Sequence, residues 1–447
     1  MNEMPARIDP AAASPGEGLH PETVVLHTGF RYDPTTYVTT VPIYQSNAYF
    51  FPSIDYASDV FDLRTSGRTY SRLMNPTCDV FEERIAAFEG GAGALLTSSG
   101  QAAITLAILN LAKSGDNIIS SSQLYGGTWN LLARTFARLG VETRFVDPTD
   151  PEAFRAATDE RTRCYFGEAL PNPMLVPFPI REVGAIAREI GVPLVIDNTM
   201  TPYISRPFDL GADIIVHSVT KYICGHGTAV GGVVIDKGTF DWHRHAERFP
   251  LMTQPDEAHG NILWLEAVKG LDGAYGRSPY LLKMRNTLQR DFGACASAFS
   301  AFLFLQGLET LPLRMPRHCE NARQVAEMLS GHAKVLDVTY PTMGDARMTA
   351  LARENMGGYG GPMVQFEIAG GIEAGKRFIQ SLQLIYHVSN IGDARTLATH
   401  PASTTHASVP REARLAAGVK DGTIRLSVGL EHIGDILGDL ERALGAA

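Results

Sequence analysis

The sequence predicts an α/β protein with a mostly parallel sheet in a large domain and a smaller α/β domain at the C-terminus. Three observations carry this reading. Short apolar runs alternate with helix-period segments from about residue 75 to 216, as in a parallel sheet covered on both faces. After Leu308 a second, shorter series of strands and helices begins. The chain has 447 residues, more than a single core usually serves. Its 45% hydrophobic and 19% charged content is that of a packed globular protein, not of a disordered or fibrous one.

In order, residues 1–22 mix Ala, Pro, Gly and charge and read as a flexible arm. They hold no apolar core of signal-peptide length. Residues 23–74 show no clear period but carry Tyr32, Tyr37, Tyr44, Tyr49, Phe50, Phe51, Tyr56 and Tyr70. Such aromatics predict packing against a partner subunit, or else against their own domain. A helix over 77–88 places Val80, Phe81, Ile85 and Phe88 on one face. There follow a strand at 94–98, a helix at 101–112, a strand at 117–121, a helix at 128–139 and strands at 142–146 and 163–166. A helix at 180–190, closed by Gly191, leads to strands at 192–196 and 213–216, and Val233-Val234-Ile235 is a further apolar run. The uncharged stretch 292–308 is shorter than the ~20 residues of a membrane span and predicts a buried core helix. The last series is a helix at 318–329, strands near 335–339 and 363–368, a helix at 373–382, strands near 386–388 and 423–428, and a helix from about His432. The expected division is an arm and intersubunit segment at 1–74, a large domain at 75–310 and a small domain at 311–447.

A net charge of −9 argues against a non-specific nucleic-acid binder or a protein of anionic membranes. Five cysteines, odd in number, far apart and without a CxxC, suggest neither a disulfide framework nor a metal site. A reducing cytosol fits them best.

The chemistry centres on HSVTKYICGHGT, residues 217–228. Lys221 follows a buried strand, where open α/β sheets place their ligands. A lysine there is commonly a solvated surface residue; here Ser218 and Thr220 before it could hold a phosphate, and the glycines after it admit a ligand to the backbone. This combination suggests a pyridoxal phosphate lysine. Such a cofactor needs a carboxylate against its ring nitrogen, and Asp197 ends the strand VPLVID; an aspartate there also suits a turn. Its phosphate needs a cradle. Ser98-Ser99-Gly100-Gln101 precedes a helix whose N-terminus favours an anion, with Ser99 as N-cap in either case. Tyr125, in LYGGT, could stack on the ring or simply pack its loop. Arg425 lies among Ile424, Leu426 and Val428, where a guanidinium wants an anionic partner such as a substrate carboxylate, unless it faces outward.

Together SVTKY with GHGT, VIDNT, YSRLMNPT, TSSGQAA and LYGGT resemble the Cys/Met-metabolism family of pyridoxal-phosphate enzymes, from about Val25 to Glu441. VPIYQS, QRDFGACASAF, LQGLETLPLRMPRHCENA and NIGDARTLATHPASTTH are most similar to its O-acetylhomoserine sulfhydrylase branch. Asn390-Ile391-Gly392 stands where lyases of the family usually have Ser-Leu-Gly. The resemblance implies the aspartate-aminotransferase-like fold, fold type I. It also implies Lys221 as Schiff-base lysine and proton shuttle, and Asp197 at the pyridine nitrogen. Tyr125 would stack on the ring and assist proton transfer, and Gly100, Gln101, Ser218 and Thr220 would bind the phosphate. Tyr70 and Arg72 would reach a neighbouring subunit's phosphate, Asn172 would lie by the phenolic oxygen, and Arg425 and Asn390 would hold the substrate carboxylate. Ala169-Leu170-Pro171 and Met200 depart from the family's commoner residues and put pocket shape in question. The implied activity is γ-replacement on O-acetyl-L-homoserine by sulfide or a small thiol, in a cytoplasmic homo-oligomer, a dimer of active sites or a tetramer. The alternatives are a methionine or cystathionine γ-lyase, a cystathionine γ-synthase or O-succinylhomoserine sulfhydrylase, and a non-catalytic α/β binding protein.

Overall fold

A computed structural model describes residues 19–447 apart from 34, 406, 408–410 and 417. The arm expected at 1–22 lies almost wholly outside the described residues. Among the described residues there are twelve strands: β1 (Gly93–Thr97), β2 (Asn117–Ser121), β3 (Glu142–Val146), β4 (Thr162–Glu168), β5 (Leu194–Asp197), β6 (Ile214–His217), β7 (Gly232–Asp236), β8 (Val335–Thr339), β9 (Met363–Ile368), β10 (Tyr386–His387), β11 (Leu397–Thr399) and β12 (Thr423–Ser427). The chain forms two compact units, each drawn from three separated segments.

The first unit comprises Met1–Ala112, Asp213–Ser218 and Ala229–Glu309. Its β1, β7 and β6 pair antiparallel, Leu95 opposite Val234 and Ile215 opposite Ile235. All residues of β1 and β7 are buried, which is why these strands read as continuous apolar runs. Helix Pro76–Glu89 packs on β1 and begins as its sequence dictates. Asn75 caps it by accepting the Thr77 N–H at 3.0 Å, and Pro76 occupies the first turn. Phe81 and Ile85 on its inner face are fully buried. The stretch 23–74 is less irregular than expected, for it contains helices Pro21–His27 and Ile54–Phe61. In the latter Ile54 and Phe61 are exposed, so its apolar spacing does not trace a core face.

The second unit comprises Lys113–Ala212, Val219–Thr228 and Thr310–Ala447. Here β5, β4, β2 and β3 lie in that order, all parallel. Helix Ile180–Ile190 shows the expected period: Val183, Ile186 and Ala187 are buried while Arg181, Arg188 and Glu189 face water. The helix expected at 128–139 is present over residues 126–138, α-helical at Gly126–Asn130 and wound as a wider π-helix at Leu131–Phe136. The smaller sheet has the order β10-β11-β12-β9-β8. Val364, Phe366, Ile424 and Leu426 pack there with Phe378 of helix Gly371–Ser381, with Ile436 and Leu440 of helix Ile433–Ala446, and with Val325 and Leu329.

The separate helices expected at 292–308 and 318–329 are one, Ala298–Ser330, running through Pro312 and Pro316. Buried Leu311, Met315, Cys319 and Ala322 recur at i, i+4, i+8 and i+11, and packing of that stripe overrides the local proline signal. No helix among the described residues is long and apolar enough to cross a membrane.

Candidate active site

Lys221 lies in a tight turn at 219–225 of the second unit. The turn closes on itself, with the Cys224 N–H donating to Val219 O at 2.9 Å and the Gly225 N–H to Lys221 O at 2.8 Å. It is braced from outside as well. The buried Arg314 guanidinium donates to Tyr222 O at 2.7 Å and to Ile223 O at 3.1 Å, and the Ala394 N–H donates to Gly225 O at 2.8 Å. Lys221 Cα abuts Gly392, where an added Cβ would come within 3.0 Å of that Cα and 2.6 Å of Tyr222 N. Only glycine lets the 390–392 segment pass so close. Asn390 is thereby delivered to the lysine: Lys221 Nζ donates to Asn390 Oδ1 at 2.5 Å. Burial, reinforced by the nearby Arg425 cation, lowers the lysine's pKa from its ordinary value.

Arg425 sits in β12 with its side chain turned to the same place. Its guanidinium donates to Asn172 Oδ1 at 3.3 Å, Asn390 O at 3.4 Å and Thr399 Oγ1 at 3.5 Å. All three contacts are long and all three acceptors neutral, so a buried charge with a bidentate fork is only loosely engaged. This argues against the outward-facing reading.

Asp197 ends β5 and sits in register with Glu168 at the end of β4. Its Oδ1 accepts the Thr199 N–H at 2.9 Å, so the turn role weighed from sequence is real. Glu168 accepts the Tyr125 N–H at 2.7 Å and also the Asn172 N–H. Burial, with the Asp197 charge beside it, pushes the Glu168 carboxyl well above the usual carboxylate range. The Tyr125 ring is half exposed. Lys221, Asn390, Arg425, Asn172, Asp197 and Tyr125 are thus tied together within one unit, through contacts that include Glu168.

The remaining residues, Thr220 apart, belong to the first unit. Ser99 caps helix Gly100–Leu109, accepting the Ala102 N–H at 3.1 Å. A Cβ at Gly100 would stand 2.6 Å from Ser218 Cβ, so glycine is what allows Ser218 to lie against the helix start. The buried Gln101 Oε1 has no hydrogen-bond partner among the described residues. Arg72 lies over the Tyr70 ring, 5.6 Å from its centroid, and donates to Arg290 O; both side chains are exposed. Thr220 is half-buried, one residue before the lysine.

The sequence profile of Cys/Met metabolism PLP-dependent enzymes matches residues 22–445. The chain belongs to this family. Its members include relatives similar along their whole lengths. An O-acetyl-L-homoserine sulfhydrylase of Leptospira meyeri is 47% identical over 440 residues, 98% of this chain and 99% of the relative. A homocysteine synthase of Schizosaccharomyces pombe is 42% identical, covering 97% and 100%. A crystal structure from Campylobacter jejuni subsp. jejuni, provisionally named an O-acetylhomoserine (thiol)-lyase, superposes with a TM-score of 0.90. It is 36% identical over 96% of this chain and 100% of its own, and it carries an N'-pyridoxyl-lysine-5'-monophosphate.

The chain is a pyridoxal-phosphate-dependent enzyme of this family. Within the second unit a half-buried lysine of lowered basicity and a carboxylate at a strand end suit such a cofactor; within the first, a helix start packs tightly on a serine. Sequence reasoning left Glu168, Arg314 and Gly392 without roles. No periodicity marks them. The signal for Glu168 was its place at the end of an apolar strand, like Asp197.

Proposed function

We propose that the enzyme performs γ-replacement on O-acetyl-L-homoserine, with sulfide or a small thiol entering and acetate leaving, to give homocysteine or methionine. The observation that carries this is the grouping of Lys221, Asn390 and a loosely engaged Arg425. It matches the reaction named for full-length relatives at 42–47% identity. Pyridoxal phosphate, when bound, supplies an electron sink for charge leaving the substrate's Cα.

The chain's own residues do the rest. Arg425 binds the substrate carboxylate through its fork, with Asn390 beside it. Lys221 Nζ, neutral more often because burial and Arg425 depress its pKa, takes the proton from Cα and then one from Cβ; acetate leaves Cγ, the thiol adds there, and the protons return to Cβ and Cα. Asp197 faces the ring nitrogen and Asn172 the phenolic oxygen. Tyr125 stacks on the ring and assists proton transfer. Gly100, Gln101, Ser218 and Thr220 hold the phosphate.

Tyr70 and Arg72 serve the active site of a second copy. Supporting this, the segment around them leaves Phe50 90% and Ile54 87% exposed, an apolar face that suits burial in an oligomer. We place the enzyme in the cytoplasm as a dimer of active sites or a tetramer, with 1–74, 75–310 and 311–447 as its segments.

The test is steady-state turnover with O-acetyl- and O-succinyl-homoserine, each with and without sulfide. Homocysteine from the acetyl ester only when sulfide is present is the expected result. Ammonia and 2-oxo acid at an equal rate without sulfide would replace this reading with a γ-lyase.

A further inference from the structure

Glu168 is the one buried carboxylate of the site to which the reaction assigns no task. It is 6% exposed and stands beside Asp197 at the ends of paired parallel strands, where registered side chains leave the sheet on the same side. Its carboxyl accepts two backbone N–H groups, from Tyr125 at 2.7 Å and from Asn172. These lie on different loops, one after β2 and one after β4. Tyr125 is held by its main chain while its ring stands half exposed. Asn172 in turn accepts from Arg425 at 3.3 Å. One carboxyl therefore fastens both loops to the sheet end that carries Asp197.

We infer that Glu168 is a positioning residue: an acceptor bracket that holds Tyr125 for the face of the cofactor ring and Asn172 for its phenolic oxygen, and through Asn172 orients Arg425. The inference rests on the cofactor and site assignments proposed above. The bracket needs oxygen lone pairs and not a charge. Two adjacent carboxylates do not both ionise readily, and a neutral carboxyl next to Asp197 leaves a single negative charge at the ring nitrogen. Deleting the side chain takes from two N–H groups their present acceptor.

The experiment compares Glu168→Ala, Glu168→Gln and Tyr125→Phe, alone and combined, in the full-length enzyme. The readouts are cofactor affinity by titration of the apo-protein, the wavelength and pH dependence of the cofactor's visible absorbance, kcat and KM, and apo-protein melting. In Glu168→Ala, cofactor affinity should fall about tenfold to a hundredfold, with kcat down and the ester's KM up. Glu168→Gln, whose amide oxygen still accepts both N–H groups, should stay within about threefold of wild type and keep the absorbance titration. The Ala and Tyr125→Phe effects on affinity should be less than additive. Unchanged affinity in Glu168→Ala overturns the inference, as does equal loss in the Ala and Gln variants, which would make the charge the working feature. Effects confined to melting would overturn it too, since a purely structural residue moves only that. A wild-type protein with no visible cofactor band would instead overturn the cofactor assignment itself.

Discussion

Replacing Arg425 tests how the site recognises its amino acid. The guanidinium's present contacts are long, 3.3–3.5 Å, and reach neutral oxygens of Asn172, Asn390 and Thr399. Removing it therefore forfeits little internal bonding. The loss falls on the substrate, whose carboxylate would be held by two charge-assisted hydrogen bonds worth about 1.5–3 kcal/mol each. A net loss of about 3 kcal/mol corresponds to about two orders of magnitude in KM. Arg425→Ala should therefore raise KM for O-acetylhomoserine about a hundredfold while leaving KM for sulfide near its original value. Arg425→Lys keeps the charge but not the fork, and should cost about tenfold.

A second signature follows from the lysine. Arg425 helps depress the Lys221 pKa, and only the neutral amine accepts a proton, so turnover rises with pH through that pKa. Without the cation the pKa moves back up. The rising limb of kcat at saturating ester should then shift to higher pH in Arg425→Ala and stay put in Arg425→Lys. A KM within twofold of wild type in both variants, with an unmoved limb, would remove Arg425 from the site and refute the reasoning.

Lys221→Ala should abolish turnover by at least about a thousandfold and remove the cofactor's borohydride-bleachable absorbance, with an unchanged circular dichroism spectrum; sulfhydrylation near the normal rate would contradict it. Gly100→Ala places a methyl 2.6 Å from Ser218 Cβ and 2.9 Å from its Cα, so the backbone itself must shift. A cost of about 1–3 kcal/mol is expected, read as a lower melting temperature together with weaker cofactor binding in apo-protein titrations. Asp439, on the last helix, accepts the N–H groups of Gln383, Leu384 and Ile385 at 2.9–3.0 Å and is buried. Asp439→Ala should destabilise by about 3 kcal/mol in urea unfolding with KM unaltered.

Much of the fold was legible because local patterns repeat at element scale. β2, β3, β8 and β9 fall where their apolar runs placed them, and helix Ile180–Ile190 begins and ends as read. Three kinds of feature escaped. Helix Ile54–Phe61 exposes its large apolar residues, so no core-facing stripe announces it. Helix Ala298–Ser330 passes through two prolines that locally argue for a break. β11 is three residues long, too short for any period to register.

The site divides along the same line. The types of group present, a lysine after a buried strand, an acid closing another, a serine-capped helix start and an arginine within an apolar strand, could be read from the order of residues, because each depends only on its neighbours. Which of them meet was decided by the tertiary structure. Lys221 touches a side chain 169 residues away and Arg425 one 253 residues away. Glu168 acquires its two N–H partners only because β4 ends beside β5 and two loops return to the same sheet edge. Short-range preferences fix what a segment becomes; long-range packing alone, by burying one polar group against another, fixes what it does there.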